Sequence, residues 1–119
     1  MKATLVPGLS NVRSFDVSPD RSTDHAVRAV LATPSMIGLI EWVCLEATTE
    51  HIDDGEATVG IHVCVSHEAS VLVGEAIEIR VALREIDGRK LTFDSEVLGP
   101  RGRVSVGTHR RAVIKLPES

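Results

Sequence analysis

The chain has 119 residues, 43% of them hydrophobic, with 13 basic against 17 acidic side chains, which suits one domain over residues 1–119 built on one core. A formal net charge of −4, one Trp, two Phe and no Tyr leave neither a basic stripe nor a stacking platform, so nucleic acid is excluded as the expected partner. The only two cysteines, Cys44 and Cys64, form no CxxC and no Cys/His pair at zinc-ligand spacing. They read as two buried thiols, and no metal site is expected.

The opening stretch, MKATLVPGLS, is broken by Pro7 and Gly8 before it can form the apolar region of a signal peptide. The longest apolar run is interrupted by Glu41, which removes a membrane span. A soluble, cytoplasmic protein is expected. Val12, Phe15 and Val17 fit one short strand in residues 9–18, closed by the turn signal Ser18, Pro19, Asp20. Residues 19–33 are mixed, and the pattern leaves a lid-like loop and a helical turn both open.

Residues 33–50, TPSMIGLIEWVCLEATTE, form the one long segment with apolar residues at helical spacing. Thr33 before Pro34 reads as a helix start, with the threonine oxygen capping free N–H groups. Met36, Ile37, Ile40, Val43, Cys44 and Ala47 make a stripe that Leu39 and Trp42 widen, so the helix is expected to be buried nearly all round. Glu41 lies within it. A buried carboxylate costs several kcal/mol unless it is paired, hydrogen-bonded or used chemically.

Period-two alternation dominates the rest. In residues 58–67, Val59, Ile61, Val63, Val65 and His67 share one parity and are expected to face the helix. Ile77, Ile79, Val81 and Leu83 alternate with polar residues in the next strand, and Asp87-Gly88 signals a hairpin. Leu91, Phe93, Ser95 and Val97 mark the return strand. Val104, Val106, Ala112, Ile114 and Leu116 mark a final strand with a bulge between its halves. The expected layout is α+β, an antiparallel sheet curled around one central helix. A sheet of about five strands leaves open edges and part of the helix uncovered, so a homodimer is expected.

His67 and Glu41 are thereby aimed at one layer, where a Glu and a His can activate water or a hydroxyl. Thr33 is first a helix cap, and about 12 Å of helix separates it from Glu41. A site using both needs substrate between them or two subunits. His62 and His109 read as facing solvent or an interface, and His25 and His51 as loop residues. Arg101, Arg103, Arg110 and Arg111 crowd the last turn and strand, where they read as solvated faces or as phosphate ligands.

The run TPSMIGLIEWVCLEA, the later GIHVCVSH and the C-terminal VGTHRRAVIKL resemble, in order and spacing, the fluoroacetyl-CoA thioesterase-like proteins of the hotdog-fold thioesterase superfamily. The resemblance implies a homodimeric hotdog fold, or a higher oligomer of it, that hydrolyses acyl-CoA thioesters without a cofactor. It also implies a catalytic threonine, glutamate and histidine, which fall on Thr33, Glu41 and His67, and substrate-binding roles for Gly60 and Arg111. The stretch HAVRAVLA has no aromatic residue where the family's fluoroacetate-specific member has phenylalanines in a lid. The expected acyl group is therefore another short or activated one. Two further classes share this fold and stay open at this point: a non-catalytic acyl-CoA binding or sensing module, and a hydratase or dehydratase.

Overall fold

The computed structural model describes residues 1–25 and 28–117. In chain order the elements are β1 (Ser10–Asp16), a 3-10 turn (Pro19–Arg21), β2 (Ser22–His25), β3 (Arg28–Leu31), α1 (Thr33–Thr48), a second 3-10 turn (Thr49–His51), β4 (Glu56–Val65), β5 (Ala76–Asp87), β6 (Lys90–Gly99) and β7 (Gly102–Lys115). Five strands form one antiparallel sheet in the order β1-β5-β6-β7-β4, curled around α1, and β2 and β3 form a separate hairpin. Ser22–His25 and Arg28–Leu31 are thus paired strands rather than a loop or helical turn. Ala26 and Val27, part of the stretch HAVRAVLA, lie outside the described residues.

The hairpin signal at Asp87-Gly88 is realised. Gly88 takes φ +60°, and Asp87 pairs with Lys90 across the turn. Inward residues of β5 (Ile77, Ile79, Val81, Leu83) and of β6 (Leu91, Phe93, Val97) are at most 3% exposed. They pack on Met36, Ile40, Val43, Cys44 and Ala47 of α1. Burying each large side chain of this set contributes about 1.5–3 kcal/mol.

Three expectations are corrected. First, α1 is covered on one face only: Trp42 is 49% and Leu45 37% exposed. A single sheet curled around a helix reaches about half of its circumference. Second, the bulge in β7 comes at its start. Val97 pairs with Ser105 and Leu98 with Arg103, so Val104 is the extra residue. From there Ser105, His109, Arg111 and Val113 point inward and Ile114 outward. Third, Cys64 is exposed, and only Cys44 is buried.

The parity of β4 also differs from a uniform alternation. Gly60 pairs with Arg111 and His62 with Arg110, which leaves Ile61 as a bulged residue. A bulge of one residue inverts which side chains face the core. Before it Thr58 and Gly60 lie opposite the inward Val113 and Arg111; after it Val63 lies opposite the inward His109. Val59 and Ile61, expected to be buried, are 40% and 46% exposed. The bulge puts Gly60 and the parity leading to His67 on the same face, which an unbroken strand cannot do.

Candidate active site

Thr33 is the first residue of α1 and not its cap. The cap position is Ala32, no side-chain cap bond is made, and Pro34 follows within the first turn. Among the described residues the Thr33 hydroxyl makes no bond to the backbone, and Oγ1 lies 2.6 Å from His67 Nδ1. Thr33 is exposed and His67 half-buried, just past the end of β4. A groove of about 260 Å3 opens at this pair, walled by Thr23, Val30 and Leu31 of the β2–β3 hairpin and by Glu68, Ala69 and Ser70. The sequence pattern places Thr33 and His67 on separate elements; only the fold shows them bonded.

Glu41, eight residues along α1, is half-buried rather than fully buried. Among the described residues no hydrogen bond or ion pair joins it to His67, which bonds Thr33. Its neighbours are Gly60, His109 and Arg111: a Cβ built on Gly60 would lie 2.9 Å from Glu41 Oε1, 3.2 Å from His109 Cε1 and 3.6 Å from Arg111 Nη1. Among the described residues no side-chain hydrogen bond or ion pair engages the Glu41 carboxylate. Its oxygens remain available to a ligand.

Arg111 is 6% exposed, so it is no part of a solvated face. Its Nε donates to Thr58 Oγ1 at 2.9 Å, Nη2 to the Thr58 carbonyl at 2.9 Å and Nη1 to His109 Nε2 at 3.0 Å. Burial pulls its pKa down, partly offset by Cys44 and Glu41. Cys44, buried beneath the same cluster, has its thiol pushed up to about 12 by desolvation, which keeps it protonated and unreactive. Of the other basic residues, Arg101 is held by Glu75 and the Ser70 carbonyl, and Arg103 by Glu68. His62 is exposed, and His51 bonds Thr4. His109, expected at solvent or an interface, is fully buried. The shifted register of β7 turns it inward, and the alternation of its apolar neighbours carried no signal of that shift. Among the described residues no group of three or more His, Cys, Asp or Glu side chains is placed to hold a metal ion. No helix among them is long and apolar enough to cross a membrane.

The chain therefore has two polar centres on the helix side of the sheet. One is a hydroxyl–imidazole pair at the N-terminus of α1, the arrangement of a nucleophile or an oriented water beside a base. The other is a carboxylate over a bare glycine, backed by a buried guanidinium.

Residues 16–116 match the family model described as fluoroacetyl-CoA-specific thioesterase. The fluoroacetyl-CoA thioesterase of Streptantibioticus cattleyicolor is 36% identical over 125 residues, covering 98% of this chain and 90% of that protein. A solved structure of a fluoroacetyl-CoA thioesterase superposes with a TM-score of 0.87 at 30% identity, covering 94% of this chain and 90% of the other. A mutant of the fluoroacetyl-CoA-specific thioesterase in complex with fluoroacetate and CoA gives 0.88 at 30% identity, with 94% and 97% covered. A hot-dog-like protein from Thermanaerovibrio acidaminovorans, 17% identical with 92% and 83% covered, has a TM-score of 0.85 and shows the fold alone. The curled sheet around one helix is the hotdog fold.

Proposed function

The chain belongs to the fluoroacetyl-CoA-specific thioesterase family, and from that premise we propose that this thioester hydrolase converts a short or activated acyl-CoA to the free acid and CoA, using Thr33, Glu41 and His67. The observation that carries the site is the 2.6 Å contact between Thr33 Oγ1 and His67 Nδ1. His67 takes the proton of the Thr33 hydroxyl or of a water that this hydroxyl orients. The oxygen forms a bond to the thioester carbonyl carbon, the C–S bond breaks, and the proton ends on the sulfur of CoA. If Thr33 is the attacking oxygen, water then releases the acid from the ester. The uncapped N-terminus of α1 offers N–H groups and a positive dipole end to the carbonyl oxygen.

Glu41 acts at the same substrate, with Gly60 leaving room beside it and Arg111 supporting the acyl end. The groove at Thr33 is walled by Thr23, Val30 and Leu31, none of them aromatic, which supports a short acyl group without a special preference for fluoroacetyl. The protein works as a cytoplasmic homodimer. Among the described residues both sheet edges, β1 and β4, are open, and β4 carries the exposed Val59 and Ile61 beside Gly60.

Incubation with a panel of short acyl-CoAs and a thiol reagent tests the activity. Free CoA released in proportion to enzyme is expected. Binding without turnover would instead identify a sensing module, and hydration of an enoyl-CoA a hydratase. Sedimentation at micromolar concentration should show two chains per particle, and a monomer would overturn the dimer.

A further inference from the structure

His109 is the one imidazole among the described residues with no solvent exposure. Both of its ring nitrogens are bonded, Nδ1 to the His62 carbonyl at 2.8 Å and Nε2 to Arg111 Nη1 at 3.0 Å. A guanidinium can only donate and a carbonyl can only accept, so Nε2 is the bare nitrogen and Nδ1 carries the proton. His62 follows the Ile61 bulge, where the β4–β7 ladder is locally interrupted. Its carbonyl can accordingly turn to the imidazole. Arg111 is then held at three nitrogens: Nε and Nη2 by Thr58, and Nη1 by His109. His109 supplies the only one of these contacts that a proton can abolish.

We propose that His109 is a positioning residue for thioester hydrolysis: as a neutral imidazole it fixes the Arg111 guanidinium beside Gly60 and Glu41, and on protonation it releases it. The proposal rests on the reading above that Gly60, Glu41 and Arg111 serve the acyl substrate. An imidazolium at this position has no acceptor for Nη1 and sets two cations 3.0 Å apart in a buried site. The groups facing it are Arg111 on β7, His62 on β4 and Glu41 on α1, and Cys44 on α1 faces Arg111. Burial is the main cause holding its pKa below the ordinary imidazole value; Arg111 and His62 add to that, while the His62 carbonyl and Glu41 oppose it. Cys44 stays neutral. His109 is therefore the neutral acceptor at physiological pH, and its protonation belongs on the acid side.

The test is kcat and KM against pH, with acetyl-CoA as probe, for the wild-type protein, His109→Gln and His109→Leu, each with a melting curve. His109→Leu removes the acceptor and should lower kcat/KM at neutral pH by about tenfold or more in the folded protein, as a displaced reacting geometry does. His109→Gln keeps an acceptor oxygen that does not titrate. It should recover most of that loss and lack the His109 component of the wild-type acid limb, keeping the component set by the base His67. In wild-type protein labelled with 15N at histidine, the His109 ring should titrate within that limb, on the acid side of an ordinary imidazole, a measurement that needs no variant to fold. Wild-type specific turnover and an unchanged acid limb in both variants, or a ring that titrates elsewhere, would overturn the positioning role. In that case a loss of kcat in Glu41→Gln would leave the thioesterase reading standing. A wild-type protein inactive on every short acyl-CoA would overturn both.

Discussion

Replacing Gly60 by alanine puts one methyl group where the structure has none to spare. Its Cβ would lie 2.9 Å from Glu41 Oε1 and 3.2 Å from His109 Cε1. Ordinary contact begins near 3.4 Å, and His109 is fully buried and bonded at both nitrogens, so it cannot retreat. The carboxylate is the free end of a flexible side chain and must give by about 0.5 Å or change rotamer. A misplacement of about 1 Å can lower a rate about a hundredfold, so a kcat loss of about tenfold is expected for half that shift. Stability should change little. Overpacking strain of about 1 kcal/mol is offset in part by the lower backbone entropy of alanine in the unfolded chain. The melting temperature should stay within about 5 °C of wild type. The assay is release of CoA from a short acyl-CoA, with thermal melts alongside. Adding Gly60→Ala to Glu41→Gln should cost little more than Glu41→Gln alone, because both act through one carboxylate. Full kcat in Gly60→Ala, or losses that simply multiply in the double variant, would refute the reasoning.

Glu41→Gln and His67→Ala should each lower kcat by about a hundredfold, with a melting temperature close to wild type, since Glu41 carries no hydrogen bond among the described residues and His67 lies at the rim. Early melting with full specific turnover would refute this. If one acyl-CoA lies between centres on two protomers, mixing and reassociating these two inactive variants should restore about a quarter of wild-type activity, because half the dimers are mixed and each holds one intact site; no recovery places the site within one chain. Glu75 gives a pH prediction. Bonds from Arg101, then from the Leu72 N–H, lower its carboxyl from 4.5 to about 2, so its contribution to stability is complete above about pH 4.5 and is lost as pH falls through about 2. Melting temperatures of Glu75→Gln should therefore fall less steeply than wild type over that range, and parallel curves would refute the assignment.

Local pattern determined much of this protein. The helix from Thr33, the alternation of Ile77 to Leu83 and of Leu91 to Val97, and the Asp87-Gly88 turn are each written in neighbouring residues, because helical and strand periodicity and turn geometry are local properties. The segment carrying Thr33, Glu41 and His67 was also legible: a carboxylate within an apolar helix and a histidine closing an apolar strand parity stand out from their surroundings. Whether these three act in catalysis rests on the proposed function. Their spatial grouping was not legible. Tertiary structure joined Thr33 to His67, set Glu41 with Gly60 and Arg111, and buried His109. The deciding element is the bulge at Ile61, with that at Val104: each inserts one residue and inverts the inward face of everything beyond it. Val59 and Ile61 are as apolar as Val63 and Val65, so hydropathy alternation alone cannot register the inversion. Bulge position is settled by the pairing of β4 with β7 and of β6 with β7, which are contacts between distant parts of the chain. In the same way, only the path of the chain after β4 brings the His67 ring within hydrogen-bonding distance of a hydroxyl 34 residues earlier.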